Sequence, residues 1–158
     1  KLIVAGQLKG TYHHETFKAI ARAGLSNDVE LVGYIGEEEK TYCLRHCEAF
    51  VYPSRYEGFG LPILEAMKMG SPVVASRAAS IPEVGGECCL YFDPESAEEL
   101  ASQVELLLRS PELRSQMREN GCRRAQTFDW ATTARATAER YGALLSPKNL
   151  TNEKCVGF

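Results

Sequence analysis

Two glutamates, Glu57 and Glu65, flank the run Gly58-Phe59-Gly60-Leu61-Pro62-Ile63-Leu64. An ionised carboxylate only accepts hydrogen bonds, so the natural partners of such a pair are hydroxyl groups. The run between them suits an anion. Gly58 and Gly60 let the backbone come close to a ligand, and Pro62 fits the first turn of a helix, where its missing N–H would have no intrahelical partner. A helix opening at Leu61 directs unpaired amides and the positive end of its dipole at whatever lies over the turn, which seats a phosphate. Leu61 offers such an amide; Pro62 does not. Glu65 then lies about one turn down the helix and Glu57 in the loop before it, so the two flank the anion from different sides. A phosphate repels a carboxylate beside it, but a nucleotide-sugar carries hydroxyls on both sides of its diphosphate, on the ribose and on the donor sugar. Alone, either glutamate reads as a solvated charge at a helix start, where acidic residues are favoured. Paired around Gly-Phe-Gly, they read as a ligand site.

The elements that must hold this turn follow from apolar spacing. Short apolar runs predict strands near Leu2 to Ala5, Val29 to Val32, Ala49 to Tyr52, Val73 to Ala75 and Cys89 to Phe92. Helical spacing predicts helices near Glu15 to Ala23, Glu37 to Cys47, Leu61 to Met69, Ala97 to Arg109, Pro111 to Thr127 and Trp130 to Leu145. Strands without alternation, each followed by a helix, imply an α/β fold with a doubly wound, Rossmann-like parallel sheet covered on both faces. Ligands of such sheets bind off the carboxyl ends of the strands, where the Glu57 to Glu65 turn must lie. Asp129 before Trp130 and Ser110 before Pro111 are predicted N-caps, and Gly70 a C-terminal stop. Trp130 is expected to anchor the last helix by packing. The tail from Ser146 to Phe158 is polar and expected to be mobile.

The chain has 158 residues, 44% of them apolar and 25% charged, with a net charge of −3. That length fits one domain with its own core; two facing Rossmann domains need about twice as much. No basic excess points to nucleic acid, and no apolar run approaches the ~20 residues of a membrane span. The six cysteines lack the paired short spacings of zinc sites, and read as thiols of a reduced, cytoplasmic protein rather than as a metal or disulfide framework. Cys43 and Cys47 are spaced as helical neighbours around His46, and Cys88-Cys89 fall in a predicted strand. His13-His14 reads as a loop pair, and no metal ligand set is assigned. Asn149-Leu150-Thr151 matches a glycosylation sequon but has no secretory context to give it meaning.

Taken together, Phe50-Val51-Tyr52-Pro53-Ser54, the block from Glu57 to Met67, Gly70-Ser71-Pro72-Val73-Val74-Ala75-Ser76 and Ile81-Pro82-Glu83-Val84 resemble the retaining GT-B glycosyltransferases of family 4. The similarity runs from Leu2-Ile3-Val4-Ala5-Gly6 through Val32-Gly33-Tyr34-Ile35-Gly36 and Tyr91-Phe92-Asp93-Pro94 to Phe128-Asp129-Trp130. The resemblance implies that residues 1–145 are a donor-binding Rossmann-like domain, the C-terminal half of a GT-B fold, with residues 146–158 as a tail. It implies that Glu57, the candidate catalytic residue, contacts donor-sugar hydroxyls and that Glu65 contacts the ribose. The backbone of Gly58, Phe59, Gly60 and Leu61 would hold sugar and diphosphate, and Tyr34, Ile35 and Gly36 the base.

Members of that family carry, upstream of the strand that here starts the chain, a further strand and helix bearing an Arg and a Lys for the diphosphate, and a whole N-terminal Rossmann domain that supplies most of the acceptor site. Neither has a counterpart here, so the sequence reads as a piece of an enzyme, inactive alone. Lys9, Arg55, Lys68 and Arg77 read as solvated charges rather than substitutes. The implied reaction moves a hexose from a nucleotide diphosphate-sugar to a glycan or lipid-linked acceptor with retention and without a cofactor or bound metal. Ala78 to Gly86 is most similar to mannosyl- or rhamnosyltransferases of polysaccharide assembly, which leans toward GDP-mannose over a UDP-sugar. Peripheral association of the parent with a membrane stays open. So does the alternative of a non-catalytic nucleotide-binding or interaction module on the same fold, since fold alone does not assign function.

Overall fold

The computed structural model describes residues 1–7 and 11–145. In chain order the elements are β1 (Leu2–Ala5), α1 (Thr11–Arg22), β2 (Val29–Gly33), α2 (Glu37–His46), β3 (Phe50–Tyr52), α3 (Leu61–Lys68), β4 (Val73–Ser76), α4 (Ile81–Gly85), a 3-10 turn at Gly86–Cys88, β5 (Cys89–Phe92), α5 (Ala97–Arg109), α6 (Pro111–Ala125) and α7 (Trp130–Leu144). All strand pairing is parallel, as expected, but it is divided between a two-stranded sheet, β1-β2, and a three-stranded sheet, β3-β4-β5. The chain correspondingly forms two compact units, one from Lys1 to Cys47 and the other from Glu48 onward.

In the first unit, Leu2 pairs with Val29 and Val4 with Leu31, and the register shifts between Val4 and Ala5. Leu2, Ile3 and Val32 are exposed. His13 and His14, expected in a loop, belong to α1, which begins at Thr11. No Gly or Pro interrupts the stretch from Thr11 to Arg22, and Gly24 at φ +72° ends it.

The second unit is built around β4, every residue of which is buried. Val74 packs with Phe92, Leu107 and Met117, and Val51, Leu90, Leu100, Val104 and Leu113 close over that cluster. Fully burying a side chain such as Leu107 is worth roughly 1.5–3 kcal/mol. Ile63 and Met67, one turn apart on α3, are also fully buried. Met67 lies against Gly121 of α6, where an added Cβ would come within 3.3 Å of its Cγ.

Helix α6 carries a device that its composition conceals. Arg114 Nη1 donates to Leu107 O at 2.8 Å and Leu108 O at 2.6 Å, while its Nε pairs with Glu48. Arg118 Nη1 donates to Gly70 O at 2.7 Å. Arg124 Nε and Nη2 reach the carbonyls of Val84 and Glu83 at 2.6 and 2.5 Å. Three arginines of one helix thus bond carbonyls at or just past the carboxyl ends of α5, α3 and α4, where cations also complement the helix dipole.

The expected caps are present. Ser110 accepts from Leu113 N at 3.2 Å, with Pro111 in the first helical turn. Asp129 accepts from Ala131 N and Thr132 N at 3.2 and 2.9 Å. Gly70 follows α3 at φ +77°. Trp130 is 78% exposed, so it does not anchor α7 by packing against the described residues. Among those residues no helix is long and apolar enough to cross a membrane, and no cluster of His, Cys, Asp and Glu could hold a metal ion. The five described cysteines are not joined in disulfides. Cys88 lies in the 3-10 turn and Cys89 opens β5, so the pair is not wholly in a strand. Burial pushes the Cys89 thiol up to about 12. Lys9, the tail from Ser146 to Phe158 and the Asn149 sequon lie outside the described residues.

Candidate functional site

The parallel register decides which loops meet. Tyr52 at the end of β3 pairs with Ala75 of β4, so the chain leaving β3 and the chain leaving β4 emerge side by side at the carboxyl edge of the sheet. The first of these is the loop from Pro53 to Gly60 and the second runs through Arg77 to Ser80. Buried Ser76, the last residue of β4, donates its hydroxyl to Ser54 O. Ser80 Oγ donates to Glu57 O at 3.1 Å. The glutamate loop is therefore fastened at two backbone carbonyls by the loop of the neighbouring strand.

The Glu57 carboxylate is held as well. Tyr52 Oη donates to its Oε1 at 2.5 Å, and the single Ser54 hydroxyl proton is shared between the same oxygen at 2.9 Å and Tyr56 O at 3.0 Å. Burial, then the hydrogen bond to Glu57 and its charge, raise the Tyr52 phenol well above its ordinary value, so at neutral pH it is a donor.

Gly60 is buried, has φ +102° and ψ 41°, and caps α3. That left-handed conformation favours glycine. Ile63 N turns back to Gly60 O at 3.0 Å, and Pro62 has no N–H. Among the described residues the amides of Gly60 and Leu61 donate to no other backbone group outside regular elements, which leaves them at the helix tip for an anion. Glu65 is exposed on α3 one turn beyond Leu61. Ala79, in the loop that supplies Ser80, is the one described non-glycine residue with positive φ, at +46°. Backbone strain of that kind gathers at functional sites.

Glu57, Gly58, Phe59, Gly60, Leu61 and Glu65 therefore lie on one strand-to-helix turn. Tyr34, Ile35 and Gly36 lie in the first unit, after β2. Tyr34 and Ile35 line an open groove of about 470 Å³ with Ile3, Val32 and Tyr42, and the Gly36 amide is already engaged, donating to Glu39 Oε2 at 2.9 Å as α2 begins. Arg55 and Arg77 pair with Glu95 and Glu99 at the surface. Sequence reasoning assigned no role to Tyr52, Ser54, Ser76 or Ser80. The spacing of Tyr52 and Ser54, five and three residues before Glu57, was a usable local signal. Ser76 and Ser80 needed the strand register.

This geometry has counterparts. Residues 1–124 match the family model for glycosyl transferases group 1. The chain belongs to that family. Its Rossmann-like α/β fold matches part of the fold of the GT-B glycosyltransferases. Among curated relatives, this glycosyltransferase domain is 40% identical over 130 residues to the MMP alpha-(1->4)-mannosyltransferase of Mycolicibacterium hassiacum, covering 80% of the chain and 32% of the relative. It is 34% identical over 143 residues to the O-antigen chain mannosyltransferase B of Escherichia coli, covering 90% and 37%. Among solved structures it superposes with a TM-score of 0.80 on Anabaena Alr3699/HepE in complex with UDP-glucose, at 28% identity, covering 90% of the chain and 40% of that protein. The domain thus spans about a third of the length of the curated relatives it matches.

Proposed function

We propose that this domain binds the donor of a glycosyltransferase that moves a hexose, with mannose favoured, from a nucleotide diphosphate-sugar to a glycan or lipid-linked acceptor with retention of configuration. The observation that carries the reading is the juxtaposition, on one turn, of a held carboxylate and an open helix tip. Glu57 is held by Tyr52 and Ser54, and Gly60 opens α3 three residues later. The tip would stabilise the leaving diphosphate by amides already in place, so that no reorganisation is needed as charge develops. Glu57 would accept hydroxyls of the donor sugar, and Glu65 those of the ribose. Recognition of the base by Tyr34, Ile35 and Gly36 belongs to the same proposal. The names of the mannosyltransferase relatives support mannose as the sugar; the leaning toward a GDP-sugar comes from the sequence resemblance alone, and the UDP-glucose complex of the Anabaena protein keeps a UDP-sugar among the candidates.

Because the domain spans about a third of its relatives, transfer is expected to need what those longer proteins add. Calorimetric titration of the chain with GDP-mannose, UDP-glucose and ADP-glucose, beside a transfer assay, tests this. Binding of one donor in preference, with no turnover, is expected. Failure to bind any of the three would remove the donor-site reading.

A further inference from the structure

The two hydrogen bonds to the Glu57 carboxylate arrive on one side. Tyr52 and Ser54 both donate to Oε1, and among the described residues none donates to Oε2. Each carboxylate oxygen accepts about two hydrogen bonds, so Oε1 is engaged by Tyr52 and by the Ser54 hydroxyl that Tyr56 O shares, while Oε2 keeps its full capacity. The donors are themselves immobilised. Tyr52 ends β3, in ladder register with Ala75, and Ser54 has its carbonyl held by Ser76. The Glu57 main chain is pinned in turn by Ser80.

A glutamate on a loop normally gives up rotamer freedom when a ligand captures it, and that cost is subtracted from affinity. Here it is met within the protein, before a ligand arrives. We propose that Tyr52 and Ser54 are positioning residues that fix the Glu57 rotamer and reserve Oε2 for sugar hydroxyls of the nucleotide-sugar donor. This rests on the donor-site reading above. Neither residue touches the ligand in this account, and both act only through Glu57. Their removal should therefore be felt by the sugar and not by the nucleotide.

The test compares GDP with GDP-mannose, and UDP with UDP-glucose, by calorimetry on the chain and its Tyr52→Phe, Ser54→Ala, double and Glu57→Ala variants. Each single variant is expected to weaken nucleotide-sugar binding about three- to tenfold, the size of one hydrogen bond's contribution, and to leave free nucleotide binding within about twofold. Once Glu57 is alanine, Tyr52→Phe should have no further effect, because the pair acts as a unit. A purely structural tyrosine would weaken both ligands and would do so in the Glu57→Ala background too; either result overturns this proposal alone. Absence of any binding by the unaltered chain overturns the donor-site reading and this proposal with it.

Discussion

Phe59 and Phe128 meet edge to face, with ring centroids 6.0 Å apart and planes at 79°. Phe59 is the middle residue of the Gly-Phe-Gly turn, and Phe128 lies just past the end of α6. The Arg124 guanidinium stands over the Phe128 ring at 5.5 Å from its centroid, and the same guanidinium holds the carbonyls of Val84 and Glu83. A half-exposed loop residue is thereby tied to the end of α4 through an aromatic pair and a cation–π contact. Such contacts are worth roughly 0.5–1.5 and 0.5–1 kcal/mol.

Phe128→Ala removes both contacts at once. The turn should lose its lateral support, so binding of nucleotide and nucleotide-sugar should fall together, with stability reduced by about 1–2 kcal/mol. Titrations with GDP and GDP-mannose and a urea unfolding curve measure this. Unchanged affinity with reduced stability would show that Phe128 serves the fold and not the turn.

The two glutamates should fail differently. Glu65→Ala removes the proposed acceptor of the ribose hydroxyls and should weaken free nucleotide and nucleotide-sugar alike, by about 1.5–3 kcal/mol for a charge-assisted bond. Glu57→Ala should leave free nucleotide binding nearly unchanged and weaken only the sugar-bearing ligand. Equal losses of GDP or UDP affinity in both variants would contradict this division of labour.

Much of this was legible from local pattern, because local pattern is what determines it. The bounds of β5 and α5 and the caps at Ser110 and Asp129 follow from apolar spacing and one polar residue each. Helix α4 was not foreseen. It has five residues, with Pro82 in its first turn, too few for a 3.6-residue period to register. The start of α1 was placed late because His13 and His14 carry no strong preference against a loop. Which strands pair, β1 with β2 and β3 with β4 and β5, was not legible, because strand spacing says which residues are extended and not which of them are neighbours. The Arg124 contacts to α4 and the Phe59–Phe128 pair join residues some forty or more positions apart, so only the folded register brings them together. In the linear chain the arginines of α6 resemble ordinary solvated charges.

Asp129 offers a pH test of the last helix. Hydrogen bonds from the Thr132 and Ala131 amides and the Thr132 hydroxyl hold its carboxyl below the usual carboxylate range. A folded value lower than the unfolded one means that the cap's stabilisation is complete above the ordinary aspartate value of about 3.9 and disappears as pH falls through the lowered value. Helix α7 should therefore keep its first turn at pH 5 and fray in the acid region below about pH 4. Amide exchange at Ala131 and Thr132 reports it, and Asp129→Asn, which cannot titrate, should abolish the pH dependence. Protection of those amides that is the same at pH 3 and pH 5 in the unaltered chain would refute it.

Ala79 at φ +46° places a Cβ in the left-handed region, which costs roughly 1–2 kcal/mol for an L-residue. Ala79→Gly should relieve that strain and, after the greater entropy of glycine in the unfolded chain is subtracted, raise stability by up to about 1 kcal/mol. Denaturant titration measures the gain. A clear loss of stability would mean that the surrounding loop relies on the alanine methyl.

Three glycines separate ligand approach from backbone geometry. Gly60 was expected to be glycine so that a diphosphate could pass close, but its φ of +102° already demands glycine for the fold, so Gly60→Ala should lose stability as well as binding. Gly58 is the cleaner probe. Its φ is not in the left-handed region, and a Cβ built there meets nothing within 4 Å. Gly58→Ala should therefore leave the melting temperature within about a degree, or raise it slightly by restricting the unfolded chain. If the donor lies over this turn, the added methyl should nonetheless reduce its affinity by tenfold or more, about 1.4 kcal/mol. Gly70, at the far end of α3, has φ +77° and no proposed ligand, so Gly70→Ala should lower stability by about 1 kcal/mol and leave donor binding alone. Melting curves and GDP-mannose titrations on the three variants distinguish these outcomes. If Gly58→Ala changed neither quantity, the diphosphate would not pass over this turn, and the tip of α3 would have to be given up as its seat.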